Sequence, residues 1–118
     1  MPQNYSEALK WCSMAAQCGY VEAQFTLGVM YAEGLGVPRN GVEGVKWFHR
    51  AAEQGDPRSQ HNLGRRYLDG QGVARNDAEA AKWFRKAAEQ GSARSQAKLA
   101  VLYAKGTGVV QSDREALS

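Results

Sequence analysis

The chain has 118 residues, of which 43% are hydrophobic and 23% are charged, and its formal net charge at pH 7 is +3. These proportions suit one folded domain and exclude a disordered chain, while the mild charge, with acidic residues alternating with basic ones, favours a solvated surface over a nucleic-acid footprint. No apolar run approaches the roughly 18 residues of a membrane span, and Glu7 and Lys10 lie where a signal peptide would be apolar. We therefore expect a soluble domain, and its compartment stays open.

The three tryptophans, Trp11, Trp47 and Trp83, are spaced 36 residues apart, and many other positions coincide when the chain is shifted by the same step. Such a period indicates a repeat architecture, in which each unit buries an apolar face against its neighbours. We predict one repeat domain over residues 1–118. Its expected elements are a lone helix at about 4–18, helix pairs at about 20–54 and 56–90, a last helix at about 92–105, and the start of a further helix at 113–118.

Each helix that carries a tryptophan is preceded by a capping-box pattern, in which the cap side chain accepts from the first turn and a glutamate three residues later reaches back to the cap N–H. The pairs are Asn4 and Glu7, Asn40 and Glu43, Asn76 and Glu79, and Ser112 and Glu115. Aromatic residues and alanines at i, i+4 spacing, such as Trp47 and Ala51, form an apolar stripe along the helix. We therefore predict that all three indoles are buried.

The other helix of each repeat carries small, leucine and tyrosine residues at a spacing that recurs in every copy, as in Ala23, Leu27 and Tyr31. The residue after the leucine is Gly28 in the first copy and Gly64 in the second. Because glycine inside a helix costs about 1 kcal/mol relative to alanine, we expect a neighbouring helix to press against this position. Paired glycines after this helix predict a turn with positive φ that leads into the tryptophan helix that follows.

Together these patterns resemble the Sel-one-like repeat, a relative of the tetratricopeptide repeat with a longer loop in each unit. The resemblance rests on Ala-x-x-x-Leu-Gly-x-x-Tyr-x-x-Gly-x-Gly-Val followed by Glu-x-x-Lys-Trp-Phe-x-x-Ala-Ala-Glu-x-Gly, and it covers nearly the whole chain. It implies an all-α fold, an α-solenoid that forms a right-handed superhelix of antiparallel helix pairs. It also implies an adaptor or scaffold for other proteins, without enzymatic activity or cofactor. Because the chain starts and stops out of phase with the family unit, we expect a fragment of a longer array or homo-association through open ends.

Few residues suggest chemistry. Ser95 and Lys98 match an S-x-x-K pattern, which would place a serine hydroxyl near an activating amine, but the companion motifs are absent and we interpret the match as chance. His49 and His61 lack ligands at metal-binding spacing, so we predict surface histidines and no metal site. An enzyme that acts on cell-wall peptides or β-lactams through Ser95, and an RNA-binding helical repeat, are the two alternative functions.

By similarity with tetratricopeptide arrays, the helix that carries Leu27 and Tyr31 and its copies in the other repeats line a concave face. The solvent-facing positions of these helices differ between copies. We predict that these positions bind a peptide or protein partner. They are Glu22, Phe25, Val29, Glu33, Arg58, His61, Arg65, Asp69, Arg94, Ala97, Val101 and Lys105. An apolar end at Phe25 and Val29 and a basic middle at Arg58, Arg65 and Arg94 would suit a segment with acidic residues or a free carboxylate.

Overall fold

The computed structural model describes residues 4–107 and shows, over that range, six α-helices and no strand. The helices are α1 (Tyr5–Gln17), α2 (Val21–Glu33), α3 (Gly41–Glu53), α4 (Pro57–Asp69), α5 (Asp77–Glu89) and α6 (Ala93–Lys105). Each helix packs mainly on its neighbours in the chain, so the helices stack into an elongated array with extents of 50 × 26 × 24 Å. The predicted all-α solenoid is confirmed, whereas the predicted helix at 113–118 and the Ser112 cap lie outside the described residues. Between residues 4 and 107, none of the helices is long and apolar enough to cross a membrane.

The helix starts show that only half of the predicted capping box forms. The Asn40 side chain accepts a hydrogen bond from the Glu43 N–H at 3.1 Å, as predicted. The backbone N–H of Asn40, however, donates to the carbonyl of Tyr31 at 2.7 Å, and the Glu43 carboxylate lies 3.7 Å from Lys46 instead. The same arrangement recurs 36 residues later at Asn76. The cap N–H therefore ties the start of one helix to the end of the helix before it.

The core forms where α3 and α5 each pack on the two helices that precede them in the chain. Trp47 of α3 is 9% exposed and belongs to a buried cluster with Ala16 of α1 and with Ala23 and Leu27 of α2. Trp83 of α5, 3% exposed, occupies the equivalent position one unit later. Burial of these two indoles is as predicted.

The predicted burial of Trp11 is wrong, because its side chain is 58% exposed. Trp47 is covered by residues from the two helices before it, and α1 is the first helix of the described range. No described helix offers Trp11 the groove that Trp47 occupies. The indole position is therefore buried by the two helices that precede it in the chain and not by its own helix.

The glycines inside α2 and α4 mark the closest helix contacts, as expected. A Cβ atom added to Gly28 would lie 2.8 Å from the ring of Phe48, and one added to Gly64 would lie 3.0 Å from the ring of Phe84. These distances are shorter than a side chain tolerates, so the aromatic ring rests on the helix backbone. Phe48 and Phe84 are consequently almost completely buried, at 1% and 0% exposed.

A ladder of glutamines links consecutive units at one edge of the array. Gln24 is 4% exposed and donates to the carbonyl of Ala16 at 3.2 Å, while its own side-chain oxygen accepts from Gln54 at 2.7 Å. Gln60 and Gln90 repeat the second contact at 2.8 Å. Because a buried amide without partners destabilises the fold, these bonds account for polar residues inside an otherwise apolar stack.

We expect Trp47→Ala to lower the free energy of unfolding by about 3 to 5 kcal/mol, because it removes a buried indole that joins two units. Trp11→Ala is the matched control at the exposed equivalent position, with an expected loss of less than about 1 kcal/mol. Urea unfolding followed by circular dichroism measures both changes. Equal effects of the two substitutions would contradict the packing of Trp47 against the preceding unit.

We expect Gly28→Ala to destabilise the protein by about 1 to 3 kcal/mol, because the new methyl group collides with the Phe48 ring. The sign is informative, since alanine by itself stabilises a helix by about 1 kcal/mol relative to glycine. Gly41→Ala is the control, because a Cβ atom there finds its nearest neighbour at an ordinary 3.5 Å. A thermal melt that rises for Gly28→Ala as well as for Gly41→Ala would disprove the close contact.

Candidate partner-binding surface

Helices α2, α4 and α6 lie side by side, and side chains bridge from one to the next. Arg58 of α4 bonds to Glu22 of α2, and His61 of α4 bonds to Ser95 of α6. We call their shared outer surface the α2–α4–α6 face. The predicted binding residues lie on it and are exposed or half-buried, with one exception, His61.

Arg58 lies on this face but its charge is already neutralised. Its Nη2 atom lies 2.6 Å from Glu22 Oε1, and its Nε atom lies 3.1 Å from Asp56 Oδ1. The guanidinium also stacks on Phe25, 4.3 Å from the ring centroid. The hydrogen bond to Glu22 is the largest cause of a raised pKa for Arg58. Arg58, predicted as part of the basic middle of the face, therefore joins α2 to α4 through ion pairs within the chain.

His61 is buried rather than solvent-facing, so the prediction of a surface histidine is wrong here. Its side chain is 8% exposed, its Nδ1 atom lies 2.7 Å from Ser95 Oγ, and its ring meets the Phe84 ring edge-on at 5.2 Å. Desolvation, and then the positive charges of Arg94, Arg65 and Lys98, lower the pKa of His61 to about 4. The imidazole is therefore neutral at pH 7.

The hydrogen bonds around Ser95 orient this imidazole. Ser95 is fully buried, and its Oγ accepts from the Ser92 hydroxyl at 3.2 Å. Because this oxygen accepts from Ser92, we assign the Ser95 hydroxyl as the donor to His61 Nδ1. From this pattern we assign the ring hydrogen of His61 to Nε2, which leaves Nε2 as a neutral donor.

Two adjoining cavities open on the face, and His61 and Arg94 line both of them. The first has a volume of about 370 Å³ and is bounded by Phe25 and Arg58 on the α2 side. The second has a volume of about 600 Å³ and lies between α4 and α6. Its lining residues are His61, Arg65, Arg94, Ala97, Lys98 and Val101.

The second cavity holds the free positive charge of the surface. Arg65, Arg94 and Lys98 are exposed, and no carboxylate between residues 4 and 107 forms an ion pair with any of them. Lys98 lines this cavity but is absent from the predicted binding residues, because the sequence suggested only a chance S-x-x-K match. Its i, i+4 spacing from Arg94, which puts both cations on one side of α6, was the available signal. This part of the face is therefore suited to an anionic group.

We expect protonation of His61 to destabilise the fold as the pH falls. The unfolded imidazole takes up a proton near pH 6.5, whereas the folded one does so only near pH 4. The contribution of the neutral imidazole to the free energy of unfolding is thus fully present above about pH 6.5. Up to about 3 kcal/mol of it is lost as the pH approaches 4. His61→Phe should remove this part of the pH dependence, and a phenyl ring fits the position because the equivalent Phe25 of α2 already packs on the Phe48 ring of α3 at 5.9 Å.

The measurement is urea unfolding at pH 7, 6 and 5 for the unchanged protein, for His61→Phe and for His49→Gln. His49 is the other histidine of the chain and lies half-exposed on α3, so its variant should keep the original slope. Identical slopes for all three proteins would show that His61 is protonated as easily in the folded state as in the unfolded state.

Comparison with known proteins agrees with this architecture. The chain matches the Sel1 repeat in four consecutive segments, residues 1–20, 21–56, 57–92 and 93–118. The curated proteins contain no match.

Solved structures of similar fold include a Sel1 repeat protein from Oxalobacter formigenes, with a TM-score of 0.92 and 37% identity over 99% of this chain and 48% of that one. A protective antigen of uropathogenic Escherichia coli with an SLR fold has a TM-score of 0.92 and 44% identity over 98% of this chain and 25% of that one. Helicobacter pylori cysteine rich protein B has a TM-score of 0.78 and 25% identity over 82% of this chain and 73% of that one. This chain thus spans about half of the first relative and a quarter of the second. With all four segments matched and the helix stack shared, the chain belongs to the Sel1 repeat family.

Proposed function

We propose that the chain is a protein-interaction module that binds an acidic peptide segment, or an acidic edge of a folded partner, on its α2–α4–α6 face. Sel1 repeat proteins are generally protein-interaction modules and are typically non-catalytic scaffolds. The observation that carries the proposal is a group of three cations around one open cavity, Arg65, Arg94 and Lys98, none of which forms an ion pair with a carboxylate of residues 4–107. Charge-assisted bonds from arginine to a carboxylate are among the stronger hydrogen bonds in proteins, which makes an acidic partner the best match.

The apolar end of the face supplies the second half of the contact. Phe25 and Val29 are half-buried on α2, and Phe25 borders the first cavity. An extended segment that crosses from α2 to α6 would place an apolar side chain near Phe25 and its acidic groups near Arg94. Apolar burial would add affinity, and the cations would set the orientation of the segment.

The alternative of a serine enzyme is not favoured by the geometry. Ser95 does have a histidine partner, but its side chain is 0% exposed and its hydroxyl is used in bonds to His61 and Ser92. A substrate carbonyl has no path to this oxygen. The Ser–His contact orients the imidazole and joins α4 to α6.

We expect Arg65→Glu and Phe25→Ala each to weaken partner binding by roughly tenfold, or about 1.4 kcal/mol. Arg65→Glu replaces a free cation with a like charge to the partner's carboxylates, and Phe25→Ala removes the apolar contact. Immobilised protein captures partners from a lysate of the source cells, and quantitative mass spectrometry compares the variants.

Lys46→Glu is the control, because it makes the same charge change on α3, at a residue whose side chain is 65% exposed. Its capture profile should match that of the unchanged protein. Circular dichroism verifies that each variant remains helical. Unchanged capture by both Arg65→Glu and Phe25→Ala, with helicity intact, would refute binding on this face.

A further inference from the structure

We infer that the cavity between α4 and α6 receives the free C-terminal carboxylate of a partner segment whose last side chain is aliphatic. The inference rests on the proposed function and specifies which chemical group of the partner occupies this cavity. The cavity has a volume of about 600 Å³, which is ample for one terminal residue.

Uncompensated charge is the first reason. Arg58, on the neighbouring part of the face, is held by Glu22 and Asp56, whereas Arg65, Arg94 and Lys98 have no acidic partner within residues 4–107. Three cations around one opening attract an anion and repel other basic groups. A planar guanidinium can also grip both oxygens of a carboxylate at once.

The second reason is the alternation of charge and apolar surface along α6. Arg94 and Lys98 are four residues apart, and Ala97 and Val101 form a second i, i+4 pair beside them in the same cavity wall. Val101 is 46% exposed, which makes it one of the large hydrophobic side chains that the described structure leaves open to solvent. Neighbouring positions on a helix face are only about 5 to 6 Å apart. The ligand must therefore present its anionic group and an apolar group within a few ångströms of each other.

A chain terminus meets this requirement most directly. The terminal α-carboxylate is bonded to the same Cα atom that carries the last side chain, so the two groups can reach Arg94 and Val101 together. In an internal aspartate or glutamate the carboxylate ends its own side chain, so an aliphatic side chain beside it has to come from a different residue. Ala97, with its small side chain, leaves room for an aliphatic residue such as valine or leucine.

His61 completes the site as a positioned donor. Its Nδ1 atom is occupied by Ser95, so its Nε2–H is the group left for a ligand. Phe84 of α5 packs against the ring and limits its movement. A carboxylate placed among Arg65, Arg94 and Lys98 would also offset the positive charges that face the imidazole, so binding should raise the pKa of His61 from its low value.

The experiment uses two peptides that differ at one group: acetyl-Ser-Asp-Ala-Val with a free carboxylate, and the same peptide with a C-terminal amide. The chain is isotope-labelled and titrated by NMR with peptide on the order of 1 mM, a range in which weak binding is detectable. The readouts are the backbone amides of α4 and α6 and the imidazole signals of the two histidines, with His49 on α3 as the internal control.

We expect the free-carboxylate peptide to shift Ala97 and Val101 and to move the His61 titration to higher pH without affecting His49. The amidated peptide should bind at least tenfold more weakly. Lys98→Gln should weaken the free-carboxylate peptide at least threefold, whereas Lys46→Gln on α3 should have no effect.

Equal binding of the two peptides on this face would overturn the terminal-carboxylate inference and leave the acidic-segment proposal standing. Shifts confined to residues outside the α2–α4–α6 face, or no shifts with either peptide, would overturn both. A shift of α6 amides without any change at His61 would show that the carboxylate does not enter this cavity, and would likewise refute the inference.

Discussion

The contact on which the structure depends is the packing of aromatic side chains of α3 and α5 into grooves of small residues on the helices that precede them. Phe48 lies on Gly28 and Phe84 lies on Gly64, closely enough that a single methyl group at the glycine would collide with the ring. Trp47 closes the same groove over Ala16 and Leu27. Dispersion and apolar burial act here between successive helices, within a repeat where Phe48 meets Gly28 and across repeats where Trp47 meets Ala16. Each helix is therefore stabilised chiefly by the helices next to it in the chain. Trp11 occupies the equivalent position in α1, which no described helix precedes, and its indole is exposed.

This mode of packing leaves the outer surface of the even-numbered helices free to vary. Their inner sides are committed to the repeated groove, and their outer sides touch only through bridges such as Arg58 with Glu22 and His61 with Ser95. Each bridge is specific to its pair of units, because one partner differs in the equivalent pair: Arg58 takes the place of Glu22, and Phe25 takes the place of His61. Regular internal packing thus coexists with an irregular surface, and the irregular surface is where a partner can be recognised.

The electrostatics of the surface follow from which cations find a partner inside the chain. Arg58 and Arg94 occupy equivalent positions in consecutive units, yet Arg58 meets Glu22 one unit earlier, while the residue one unit before Arg94 is Arg58 itself. Among residues 4–107, Arg94 therefore has no acidic partner, and it lies beside Arg65 and Lys98. The buried His61 responds to this local excess of positive charge with a lowered pKa, so a neutral donor lies beneath three cations. An anionic ligand would stabilise this arrangement, because its negative charge would offset the repulsion among the three cations.

The sequence by itself determined the repeat, the helical class, the burial of Trp47 and the close contact at Gly28. These properties follow from residue types that recur every 36 positions along the chain. It also placed Arg65 and Arg94 on one surface. It did not determine that Trp11 is exposed, that His61 is buried on Ser95, that Arg58 is neutralised or that Lys98 borders the same cavity. Those properties depend on which side chains of different units meet, and residues about 36 positions apart come together only through the pitch of the stack. Periodicity specifies what each unit is, whereas the contacts between units decide which of its groups are left for a partner.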